Sequence, residues 1–96
     1  MAEHEMRIEI QPERALGIHA DFAQVWHTPE SVVIDFLAIT TPPQTEVGVD
    51  GEPRQVTQAT VASRVRLAPT HVFELMNALE RQLAAWESET GKREVE

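Results

Sequence analysis

The stretch His19–Thr40, HADFAQVWHTPESVVIDFLAIT, decides the fold. β-branched and aromatic residues crowd into two runs, Ala20–His27 and Ser31–Thr40, with Thr28-Pro29-Glu30-Ser31 between them. Proline's fixed φ suits the second position of a type I turn, so the two runs read as the strands of a hairpin. Folding about that turn places Phe22 near Phe36, Gln24 near Ile34 and Trp26 near Val32 on one face. The other face then carries Asp21, Ala23, Val25, Val33, Asp35, Leu37 and Ile39. A strand with one wet face alternates cleanly between apolar and polar residues. Here apolar residues occupy both sets of positions, so both faces need cover. A slip of one residue in register would exchange the two sets.

Downstream, Thr60–Leu67 reads as a third strand, with Val61, Ser63, Val65 and Leu67 on one side and Ala62, Arg64 and Arg66 on the other. Pro69 suits the first position of a helix, where its missing N–H costs nothing, and strong helix formers run from there to a stop at Gly91. Val72, Leu75, Met76, Leu79, Leu83 and Trp86 form one apolar stripe on that helix, with Phe73 at its margin. The spacing 72, 76, 79, 83, 86 is a heptad seam about two heptads long, short of the three or four that sustain a coiled coil. The expected fold is therefore α+β: a three-stranded antiparallel sheet in β-β-β-α order, with one long C-terminal amphipathic helix packed on one face. Phe22, Trp26, Val32, Ile34 and Phe36 are the stronger apolar set, and the helix is expected there.

Around this unit, residues 1–17 read as a polar N-terminal arm. Met6, Ile8 and Ile10 alternate within it before Pro12. The single domain spans 18–90, and 91–96 forms a charged, frayed tail. Within the domain, 41–58 is rich in Pro, Gly, Thr and Gln and reads as a long mobile loop. A small hairpin about Asp50-Gly51 is the alternative, weakened by Pro53 just after the turn.

Bulk properties narrow the function classes. With 96 residues the chain is one small domain, a size that often needs a disulfide, a metal or another subunit. Cysteine is absent, which removes disulfides and thiolate metal sites. A net charge of -8 opposes phosphate backbones and anionic membranes, so nucleic-acid and membrane partners are disfavoured. No apolar run approaches the roughly 20 residues of a membrane span. The acidic, mixed start lacks the pattern of a secretory signal, and a cytoplasmic location is expected.

The segment HADFAQVWHTPESVVIDF, a variable loop, and then VASRVRLAPTHVFELMNALERQL together resemble a small prokaryotic family, the domain of unknown function DUF3467. The resemblance rests on Ala20-Asp21-Phe22, the His27-Thr28-Pro29-Glu30 turn, Asp35-Phe36, and the Arg64-Val65-Arg66-Leu67-Ala68-Pro69 junction, in that order over roughly 18–86. The family often shows Asn where this chain has Asp21. The resemblance implies a β-β-β-α unit and no established activity.

No motif points to catalysis, a metal or a cofactor. His4, His19, His27 and His71 lack close ligand spacing, and eight residues separate His19 from His27, about 26 Å along a strand. Asp21 and Asp35 share a face in the inferred register, and a close carboxylate pair would raise one pKa. The preferred reading is an ion-pair cluster of Asp21, Asp35, Arg64 and Arg66 across a subunit interface, fixing register more than adding affinity. Neither a nucleophile elbow nor a phosphate-binding loop is present.

The expected role is a non-enzymatic protein-interaction or assembly module acting as a homodimer or larger homo-oligomer, with another protein as a further candidate partner. The expected interface is Val25, Val33, Leu37 and Ile39 on the second sheet face, together with Trp86 at the helix end. The competing expectation is that Met6, Ile8 and Ile10 fold back over that face. Two other classes stand beside these: a nucleic-acid-linked regulator using Arg64 and Arg66, and a small-molecule-binding dimer with a cleft near Asp21, His27 and Asp35.

Overall fold

The Thr28–Ser31 turn forms as the sequence predicts, and it sets the register of everything that follows. In the computed structural model, which describes residues 3–92, the Thr28 N–H donates to the Ser31 carbonyl at 2.9 Å. The Thr28 hydroxyl accepts from the Ser31 N–H at 3.1 Å. Thr28 thus faces Ser31 across a two-residue loop, and the strands continue from that pair. β1 (Phe22–His27) lies antiparallel to β2 (Val32–Ile39), pairing His27 with Val32, Trp26 with Val33 and Phe22 with Leu37.

This register is one residue away from the pairing expected from the sequence, and the faces regroup accordingly. A turn that sets Thr28 against Ser31 cannot also set Trp26 against Val32. Phe22 and Trp26 share a face with Val33, Asp35 and Leu37. Val25 lies on the other, with Ile34 and Phe36.

The next segment is a second hairpin rather than an irregular loop. β3 (Gln44–Val47) and β4 (Pro53–Val56) pair antiparallel as a separate two-stranded sheet. Gly51 takes φ 80° in the turn between them, a conformation that costs glycine nothing. Pro53 fits because it is the first residue of its strand.

β5 (Ala59–Leu67) completes the main sheet on the far side of β2, giving the order β1-β2-β5. A bulge interrupts this pairing: Phe36 faces Ser63 but Leu37 faces Val61, so Ala62 is the extra residue. Val61 is thereby turned onto the Arg64 face, away from the side that strict alternation assigns it.

Helix α1 (Pro69–Thr90) begins at Pro69 and ends as expected, with Gly91 in the left-handed region at φ 71° and its N–H donating to the Glu87 carbonyl at 2.9 Å. Its packing differs from expectation. No residue of the helix is buried. Val72 and Leu75 in the first turns are half-buried, while Met76, Leu79, Leu83 and Trp86 are exposed. The helix therefore projects from the sheet instead of lying along one face of it. The arm does not supply the missing cover either: Met6, Ile8 and Ile10 are all exposed. A three-residue 3-10 turn at Pro12–Arg14 is the only regular structure among the described arm residues. Of the tail, 93–96 lies outside the described residues.

The core is correspondingly small, consisting of Val33, Leu37 and the polar Asp35. All three come from the central strand β2, whose alternate residues Val32, Ile34, Phe36 and Ala38 are only half-buried. On both faces the flanking strands stay exposed: Phe22, Trp26 and Val61 beside the buried β2 residues on one, Val25 and Val65 on the other.

Candidate functional site

Register and burial divide the sheet into two faces of different chemistry. The Asp35 face consists of the rows Phe22–Leu37–Val61, Gln24–Asp35–Arg64 and Trp26–Val33–Arg66, its three central residues buried and its flanking ones exposed. At its centre the Arg64 guanidinium grips Asp35 with two bonds, Nε to Oδ1 at 2.6 Å and Nη2 to Oδ2 at 3.0 Å. The Trp26 indole N–H donates to the same Oδ2 at 3.1 Å, and the Arg64 Cζ sits 5.4 Å from the Trp26 ring centroid. A buried carboxylate is stable only when its oxygens are satisfied, and this one receives three charge-assisted hydrogen bonds. The Arg64 pairing first, and the Trp26 N–H second, hold the Asp35 carboxyl below its usual range. Asp35 in turn pushes the Arg64 guanidinium up. The unit ties all three strands of the sheet together.

The expected cluster of four charges thus divides. Asp35 and Arg64 form the pair, and Arg66 lies on the same face and adds a weaker attraction for Asp35. Asp21 belongs to a different arrangement. Its Oδ2 accepts from the Ile39 N–H at 2.7 Å, capping the end of β2, and its Oδ1 lies 2.8 Å from His19 Nε2. These two bonds, Ile39 first, lower the Asp21 pKa. Trp26 as a ligand of Asp35 was hidden from the sequence because the inferred register put the two on opposite faces. The loop length, two residues between Thr28 and Ser31, was the signal that could have found it.

The open face carries the rows Ala23–Phe36–Ser63, Val25–Ile34–Val65 and His27–Val32–Leu67. These nine residues include no carboxylate, lysine or arginine. Val25 is 65% exposed and Val65 39%. The proposed interface residues therefore fall in three places. Val33 and Leu37 are covered within the chain, at 0% and 8% exposure, and offer no surface to a partner. Val25 is exposed on the open face, while Ile39 and Trp86 are exposed elsewhere, Trp86 on the helix. The larger apolar surface is the helix itself: Phe73, Met76, Leu79, Leu83 and Trp86 run exposed along most of its length.

A cavity of about 350 Å³ lies where the arm meets β5, lined by Glu13, Arg14, Gly17, Ile18, Ala62 and Ser63. It includes none of Asp21, His27 and Asp35, the residues around which a small-molecule cleft was expected. Among the described residues no helix is long and apolar enough to cross a membrane.

A three-stranded antiparallel sheet with a bulged edge, an inserted hairpin and a projecting C-terminal helix defines a small α+β protein. The family model of DUF3467, a protein of unknown function, matches residues 1–93, and the chain belongs to that family. No curated protein and no solved structure matches the chain.

Proposed function

We propose that the chain acts as a homodimeric protein-interaction module without enzymatic chemistry, its folded unit completed by a second copy of itself. The observation that carries this reading is surface. The chain exposes 9053 Å². A compact monomer of 10.8 kDa exposes about 5,500 Å². Its radius of gyration is 19.2 Å, against about 12–13 Å for a compact chain of this length. Phe73, Met76, Leu79, Leu83 and Trp86 of the helix stripe and Val25 and Val65 of the open sheet face are exposed within it. Isolated domains rarely leave contiguous apolar surface of this size in water. Two-fold homodimers are the commonest way of covering it.

The charges favour this over the nucleic-acid reading. Arg64 is committed to Asp35, and the net charge of -8 repels phosphate. The test is thermal melting at protein concentrations spanning two decades. An obligate dimer melts at a temperature that rises with concentration. A melting temperature independent of concentration refutes the proposal.

A further inference from the structure

The two unpartnered apolar surfaces fit each other, although they do not meet within one chain. The stripe from Val72 to Trp86 spans about 21 Å at the helical rise. The β2 residues on the open face, Val32, Ile34, Phe36 and Ala38, span about 20 Å. Both surfaces are uncharged: the stripe is Val72, Met76, Leu79, Leu83 and Trp86, and the three rows of the open face carry neither carboxylate, lysine nor arginine. The Asp35 face, by contrast, carries Asp35, Arg64 and Arg66, so the uncharged face is the better match for an uncharged stripe.

We infer that the dimer is exchanged, with α1 of each copy lying across the Val25–Ile34–Val65 face of the other. This rests on the homodimer reading and specifies its geometry. One two-fold operation then buries both surfaces in both copies, which is the economy of an exchanged element. Pairing two helices through their own stripes hides the stripes and leaves six apolar rows open, three in each copy. Pairing two sheets face to face leaves both helices bare. The area agrees with exchange. The excess surface is about 3,500 Å² per chain, several times the roughly 800 Å² per partner of a standard interface. Even with half of it assigned to the arm and the small hairpin, the remainder reaches the size of large obligate interfaces.

The chain's lack of cysteine makes a clean test possible. A tagged Val25→Cys chain and an untagged Leu79→Cys chain are co-expressed. The purified protein is treated with a short bismaleimide, which tolerates a small error in register. The expected result is a covalent heterodimer retained on the tag, with each single variant alone giving little covalent product. Self-linking of Leu79→Cys means helix-to-helix pairing, and self-linking of Val25→Cys means sheet-to-sheet pairing; either overturns the exchange. A double variant, Val25→Cys with Leu79→Cys in one chain, that links only within itself shows the helix lying on its own sheet and also overturns it. The solution mass of the same untreated sample separates the two claims. A dimer that gives no heterodimeric product refutes the exchange alone, and a monomer refutes the homodimer reading with it.

Discussion

Replacing Leu79 by alanine distinguishes a solvated helix from a buried one. Leu79 is 60% exposed in the single chain and sits at the middle of the stripe. If that exposure persists in solution, Leu79→Ala is a surface substitution, worth within about 0.5 kcal/mol of zero. Alanine's higher helix propensity then tips the balance slightly towards stability. If the residue is buried against a second copy, truncation of leucine to alanine costs about 2–5 kcal/mol per site. A two-fold dimer carries the site twice, so the loss is roughly 4–10 kcal/mol per dimer. Each 1.4 kcal/mol is a factor of ten, so the dimer dissociation constant rises by about three to seven decades. The assay is urea unfolding at several protein concentrations, which reports the coupled stability of fold and assembly. Arg81→Ala, on the opposite side of the helix, serves as the control and is expected to leave the midpoint nearly unchanged. A Leu79→Ala chain that unfolds at the wild-type midpoint at every concentration refutes the reasoning.

Three further outcomes follow from the sheet and the helix end. Val33 is fully buried, and Val33→Ala removes two methyl groups and leaves a void, at a cost of about 2–3 kcal/mol. In a domain of this size that lowers the melting temperature by roughly 10–20 °C, and an unchanged Tm would mean that the β2 core is not packed as described. The Asp35 carboxyl is held below its ordinary value by Arg64 and Trp26. Its contribution to stability is therefore present above the unfolded-state carboxyl pKa and is lost as pH falls through the lower folded value. Asp35→Asn is expected to weaken the fold at neutral pH and to flatten the loss of stability on the acid side, and denaturant midpoints that keep the wild-type pH slope would contradict this. Gly91 holds φ 71° at the helix end, so Gly91→Ala costs about 1 kcal/mol while Gly91→Asn costs less, an order that urea midpoints would check.

The local features were legible in the sequence, and the long-range ones were not. Pro69 and Gly91 fixed both ends of the helix because each acts through its own backbone. The Thr28–Ser31 turn was equally local. The Asp35–Arg64 pair was foreshadowed by two charges on one sheet face, and the structure places them directly opposite each other. Register failed by one residue because apolar side chains on both faces satisfy either pairing, which leaves the loop length as the deciding constraint. A strict two-residue period carries no sign of the bulge at Ala62, which moves Val61 to the side opposite the one that period assigns. Pro53 just after the Asp50-Gly51 turn weakens a hairpin on sequence grounds, but the first position of β4 accommodates proline, and the second hairpin forms there. The helix was expected to cover its own sheet because amphipathicity says that a stripe must be buried and does not say against which chain.

The measurement that tests the central claim most directly is the solution mass of the intact chain, by light scattering across a dilution series. The account predicts twice 10.8 kDa, held down to the lowest concentration that can be read. A mass of 10.8 kDa throughout the series would contradict it, and the open sheet face and the bare helix would then have to be stable in water as they stand.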